Sequence, residues 1–131
     1  MTDRELVDLA FTMLERAYVP YSKFPVGAAL LCSDGTVFTG CNVENAAYGS
    51  TICAERTALV KAVSEGYRSG WVALAIAGRS GDYCWPCGAC RQMLYEFSPE
   101  LMILAARSDG AFVKAPLSEL LPHGFGAGHL N

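Results

Sequence analysis

The chain has 131 residues, a formal net charge of −3 and 52% hydrophobic residues, the size of one domain that buries about two thirds of its unfolded surface. That charge, with no run of Lys or Arg, offers no field for a nucleic-acid polymer, and no apolar run approaches the ~20 residues that span a bilayer. A mean hydropathy of +0.24 is high for so small a domain and points to apolar surface covered by subunit contacts.

Thr2 and Glu5 form a capping box, and Leu6, Leu9, Ala10, Met13, Leu14 and Ala17 recur at helical spacing, predicting a helix that stops before Pro20. The opening "MTDRELVDLA" lacks the basic segment and apolar core of a secretory signal. A reducing, cytoplasmic setting is therefore expected, in which the six cysteines need not pair. "VGAALLC" and "TVFTGCNVE" read as strands joined across "SDG", a hairpin signal. A Gly/Asn/Ser-rich loop from about Asn45 to Thr51 precedes "ICAERTALVKAVSEG", a helix expected to end at Gly66. "WVALAIAG" has the near-continuous apolarity of a strand covered on both faces. "CGACRQMLYEF" opens another helix, "LMILAA" and "AFVKA" are strands across a second "SDG", and "LSELLP" leads into a glycine-rich tail. The expectation is a single domain over residues 1–131: α/β, a three-layer α/β/α sandwich with a central mixed sheet of about five strands.

"CWPCGACRQ", residues 84–92, holds three cysteines at three-residue intervals, a pattern open to a metal, a disulfide, a redox pair or packed thiols. Cys87 and Cys90 share one face of a first helical turn, with Pro86 at the entrance where its missing N–H costs nothing. Cys53 lies at the first turn of the other long helix. Helix N-termini favour thiolate over thiol, and two parallel strands ending side by side would bring these helix starts together at one sheet edge. Three thiolates converging there make a zinc site with one coordination position open. Glu55, two positions after Cys53, is placed to take a proton from water at that position, which a closed structural site would not need.

With "CAE" followed about thirty residues later by "PCGAC", the chain resembles the small zinc cytidine deaminases with three cysteine ligands, members of the superfamily that typifies this signature. "AYVPYSKFPVGAALL", "GCNVENAAYGSTICAERTAL", "KAVSEGY" and "ELLPHGFG" extend the likeness over nearly the whole chain. The resemblance implies that Cys53, Cys87 and Cys90 hold one Zn²⁺ per chain and that Glu55 shuttles protons. Zinc-activated hydroxide would attack C4 of cytidine or 2′-deoxycytidine, giving the uridine product and ammonia in pyrimidine salvage. Asn42 and Glu44 would hold the ribose 3′-hydroxyl, Phe24 would pack beside the pyrimidine, and the backbone of Ala54 would read the base edge. Ala46, Tyr48 and Phe125 would reach a neighbouring subunit's site in a homotetramer. Arg56 would draw off the excess negative charge of three thiolates, with Arg91 a weaker second candidate. The implied partner is a small nucleoside, with no nucleic-acid polymer and no membrane. Two rivals remain at this level: a deaminase of another aminopyrimidine, and a structural zinc domain, which needs a fourth protein ligand. Cys84 and Trp85 depart from the family's pattern, His123 and His129 read as structural or surface residues, and Cys32 and Cys41 as packed thiols.

Overall fold

In the computed structural model, which describes residues 1–130, five strands form one sheet. They are β1 (Val26–Cys32), β2 (Val37–Cys41), β3 (Trp71–Gly78), β4 (Met102–Ala106) and β5 (Phe112–Pro116), in the order β2-β1-β3-β4-β5. Only β3 and β4 pair in parallel, so the sheet is mixed, as expected. The helices are α1 (Asp3–Thr12), α2 (Ala54–Ser64), α3 (Gly88–Phe97) and the short α4 (Leu117–Leu120).

Strand alternation assigns each helix its layer. Ala29, Ala73, Ala75, Ala77, Leu104 and Ala106 face one way and bury Leu6, Val7 and Ala10 of α1. Ala28, Leu30, Leu74, Ile76 and Ile103 face the other way and pack on Ala54, Ala58, Leu59 and Ala62 of α2 and Leu94 of α3. Both sheet faces are therefore apolar, which is why the central strands read as continuous hydrophobic runs. The alanines opposite α1 let that helix lie close. Gly40 does the same for α2: a Cβ there would stand 2.6 Å from the Ala58 nitrogen and still closer to the Ala54 carbonyl. Both "SDG" hairpins form, with Gly35 and Gly110 at φ 91°, a left-handed conformation that favours glycine.

Three local readings are corrected. The α1 periodicity extends to Ala17, yet the α-helix ends at Thr12 and continues as a 3-10 turn, Met13–Arg16. The chain must become extended at Ala17 so that the Tyr18 N–H can donate to the Asn42 carbonyl. The second strand ends at Cys41 rather than Glu44. Beyond it, the Asn42 side chain takes over the pairing, accepting from Val26 N–H at 2.9 Å and donating to the Phe24 carbonyl at 2.9 Å. Finally, the two helices that carry the cysteines do not follow adjacent parallel strands. β2 and β3 run the same way but β1 lies antiparallel between them, so the start of β1, with Phe24 just before it, sits between the two helix starts. Among the described residues no helix is long and apolar enough to cross a membrane.

Candidate active site

Cysteines stand at the N-caps of both α2 (Cys53) and α3 (Cys87), and neither side chain caps its own helix. Their sulfurs turn towards each other instead. Cys53 Sγ lies 3.9 Å from Cys87 Sγ, and Cys87 Sγ lies 3.5 Å from Cys90 Sγ. All three fall within 4.8 Å of one another, the single such group of potential metal ligands among the described residues. A tetrahedral ion with Zn–S bonds of about 2.3 Å would set its sulfurs about 3.8 Å apart, so the spacing fits zinc. Cys84 stands outside the group: its N–H donates to the Ala106 carbonyl, and burial pushes its thiol up to about 12. All six cysteines are free.

The charges around the sulfurs are biased in two directions. Cys53 is pulled below the ordinary thiol range, first by the Cys90 hydrogen bond and then by Arg56, whose Nη2 donates to its sulfur at 3.2 Å. Cys90 is correspondingly pushed up, first by the same hydrogen bond and then by burial. Arg91, by contrast, makes no thiolate contact; its guanidinium donates to the carbonyls of Pro86 and Leu120. Among the described residues Glu55 is the one buried charged residue, 5% exposed, and burial raises its carboxyl from 4.5 to about 7.

Glu55, Cys53, Cys87 and Ala54 line one cleft of about 250 Å³. Its other walls include Phe24, Val26, Asn42, Cys84 and Trp85. Phe24 and Cys84 both cover the end of β3, where a Cβ on Gly78 would be 3.4 Å from one and 3.5 Å from the other. Trp85 is half-buried against the core beneath α2 and α3. Thr51 links this cleft to a second hollow lined by Tyr21, Ser22, Glu44 and Tyr48. There Glu44 Oε1 accepts from the N–H groups of Tyr21 (3.0 Å) and Ser22 (3.1 Å), and Ser22 above all holds the carboxylate below its usual range. Ala46, Tyr48 and Phe125 are exposed, and none of them lines the cleft beside the sulfurs.

Residues 1–106 match the model of the cytidine and deoxycytidylate deaminase zinc-binding region. The chain belongs to that family. It is 48% identical over 131 residues to a cytidine deaminase of Halalkalibacterium halodurans, covering 98% of each chain. With a cytidine deaminase of Sporosarcina psychrophila it shares 51% identity over 112 residues, 85% of this chain and 82% of the relative. The crystal structure of a cytidine deaminase from Burkholderia pseudomallei superposes with a TM-score of 0.93 at 46% identity, covering 95% of this chain and 100% of that one.

In this member of the family, several residues that build the site were given no role by the reading of the sequence. Thr57 Oγ1 donates to the Cys41 carbonyl at 2.9 Å and approaches the Cys53 carbonyl at 3.2 Å, tying the α2 start to the end of β2. Lys61 Nζ donates to the Thr39 carbonyl one turn later. Thr51, Val26 and Ile52 line the cleft without resembling chemistry-bearing residues. A hydroxyl in the first turn of a helix that follows a strand was the one signal available for Thr57, since such a side chain faces back along the chain.

Proposed function

We propose that the chain is a zinc-dependent hydrolase that deaminates cytidine and 2′-deoxycytidine to the corresponding uridines and ammonia, in cytoplasmic pyrimidine salvage. The observation that carries this reading is a buried carboxyl group on one cleft with Cys53 and Cys87, whose sulfurs converge with that of the buried Cys90, and no fourth protein ligand among the described residues. Cys53, Cys87 and Cys90 would hold the zinc, which would supply a Lewis acid able to make water reactive near neutral pH. Glu55, buried beside the sulfurs, would accept the proton of the attacking water and pass it to N3, and would then carry the remaining proton of the added hydroxyl to the amino group, which leaves as ammonia. Arg56 donates to the Cys53 sulfur and so offsets the negative charge of three thiolates.

The rest of the cleft recognises the nucleoside. Phe24 packs beside the pyrimidine and the Ala54 backbone meets its edge. The second proton of the Asn42 amide and the free lone pairs of Glu44 hold the 3′-hydroxyl. Glu44 is preset for this, because two backbone N–H groups already fix its carboxylate. Ala46, Tyr48 and Phe125 serve a neighbouring copy in a homotetramer, a reading supported by their exposure and by their absence from the walls of the cleft beside the sulfurs. The test is the loss of cytidine absorbance on mixing with purified protein, repeated after chelation and again after zinc is restored. Turnover that survives complete chelation would remove zinc from the reaction.

A further inference from the structure

The two residues that follow Cys90 in α3 direct their donors at backbone carbonyls far along the chain. Arg91 Nε donates to the Pro86 carbonyl at 2.7 Å and its Nη1 to the Leu120 carbonyl at 2.8 Å. Gln92 Nε2 donates to the Phe125 carbonyl at 2.8 Å. Pro86 is fully buried and immediately precedes Cys87. One guanidinium therefore grips both the loop that carries a metal ligand and the start of the C-terminal segment. No carboxylate pairs with Arg91 among the described residues, so its charge is spent on peptide dipoles alone.

One turn further along α3, Tyr95 forms a floor for the same segment. A Cβ on Gly124 would be 2.8 Å from Tyr95 Cε2 and Cζ, and one on Gly126 would be 3.2 Å from Cε1. Two glycines thus let the backbone lie flat on the ring to either side of Phe125. The Phe125 side chain is left out, 55% exposed, with its ring stacked on His129 at 5.4 Å.

We propose that Arg91, Gln92 and Tyr95 form a clasp that holds the ligand loop and the C-terminal segment as one unit, with Arg91 the positioning residue for both. Arginine suits this place because its planar fork carries several donors at fixed separation and does not titrate. A lysine ammonium, a single point on a flexible stem, cannot span the two carbonyls with the same geometry. For Phe125 the consequence rests on the reading that its ring reaches a neighbouring copy's nucleoside: the clasp then fixes the direction in which the ring is presented.

The clasp predicts an asymmetry between its two polar members. Gln92→Ala releases the C-terminal segment alone, whereas Arg91→Lys and Arg91→Gln release the segment and slacken the ligand loop. The measurement is amide hydrogen exchange on the zinc-loaded protein, read at Leu121, Gly126 and His129 in the tail and at Arg91, whose N–H donates to the Cys87 carbonyl. Tail amides should exchange about fivefold faster in Gln92→Ala and about tenfold faster in the Arg91 variants, the loss of one neutral and one charged hydrogen bond respectively. The Arg91 amide, and zinc release to a competing chelator, should quicken about tenfold in the Arg91 variants only. Exchange in β3 and β4 should not change, which separates a local clasp from a general loss of stability. Unaltered tail exchange in Gln92→Ala, or a uniform rise over the whole chain in the Arg91 variants, would overturn the proposal. Gln92→Ala keeps the test alive if the Arg91 variants do not fold. Its KM for cytidine should rise several-fold with kcat retained; faster tail exchange with unchanged KM supports the clasp and counts against the role of Phe125.

Discussion

Replacing Glu55 by Gln separates two consequences of burying one carboxyl group. In the metal-free protein Glu55 keeps its proton up to about pH 7, because burial and then the Cys53 thiolate disfavour its charge, whereas the unfolded chain releases it near 4.5. Between those values the folded state binds more protons than the unfolded one. The resulting stability is complete below pH 4.5 and is lost as the pH rises through 7. At about 1.36 kcal/mol for each tenfold change in proton affinity, the whole difference is about 3 kcal/mol, of which roughly 2–3 kcal/mol disappears between pH 5 and 8. Glutamine has the same shape and no proton to lose. Metal-free Glu55→Gln should therefore gain that much on the metal-free wild type across this interval, while zinc-loaded Glu55→Gln loses about 10²–10⁴ in turnover. Cys53 titrates in both proteins and in the opposite sense, so the difference between them reports the carboxyl group together with its coupling to the neighbouring thiols. The assay is urea denaturation of both chelated proteins at four pH values, with deamination measured separately. Parallel pH curves would refute the desolvation argument, and activity within tenfold of wild type would remove Glu55 from the mechanism.

Cys84→Ser should retain zinc and most activity, whereas Cys87→Ser should weaken metal binding and abolish turnover; metal content by atomic emission decides, and equal zinc loss would revive a closed structural site. Gly40→Ala should cost about 3 kcal/mol in thermal or chemical unfolding, since its Cβ meets the α2 backbone rather than a movable side chain. Gly49→Ala, with nothing within 4 Å of its Cβ, should stay within about 0.5 kcal/mol of wild type. Cytidine should exceed cytidine 3′-monophosphate in kcat/KM by roughly 10- to 150-fold, the loss of a charge-assisted hydrogen bond worth about 1.5–3 kcal/mol; comparable values would displace Glu44 from the 3′-hydroxyl.

The elements were legible where local chemistry dictates them. The capping box at Thr2, the "SDG" turns and the apolar run of β3 all formed where the sequence placed them. The convergence of Cys53, Cys87 and Cys90 was legible because a helix start constrains both the spacing of Cys87 and Cys90 and the direction in which sulfur points. What escaped is non-local. Nothing in "VGAALLC" states that this strand enters between β2 and β3, because its two apolar faces fit any central position. Asn42, Thr57 and Arg91 act on carbonyls or amides 16 to 29 positions away, and a side chain's reach across a fold leaves no periodic trace. Arg91 shows the cost: read beside Cys90 it looks like a charge partner, whereas its donors are already committed to Pro86 and Leu120.

The placement of β1 at the centre of the site also sets the order in which the chain can assemble. Its pairing with β2 is local, closing across one tight hairpin from Leu31 to Val37. Its pairing with β3 joins Val26 to Gly78, and α3 begins only after that strand ends. Closing so long a loop carries an entropic barrier that the hairpin does not, and such contacts form late in folding. A nascent chain that has finished α2 already carries Cys53 and Glu55 but not Cys87 or Cys90. Cys87 and Cys90 meet within one helical turn, but Cys53 joins them only after the sheet has closed around β1, so the convergence of all three sulfurs is a report of complete folding rather than a route to it.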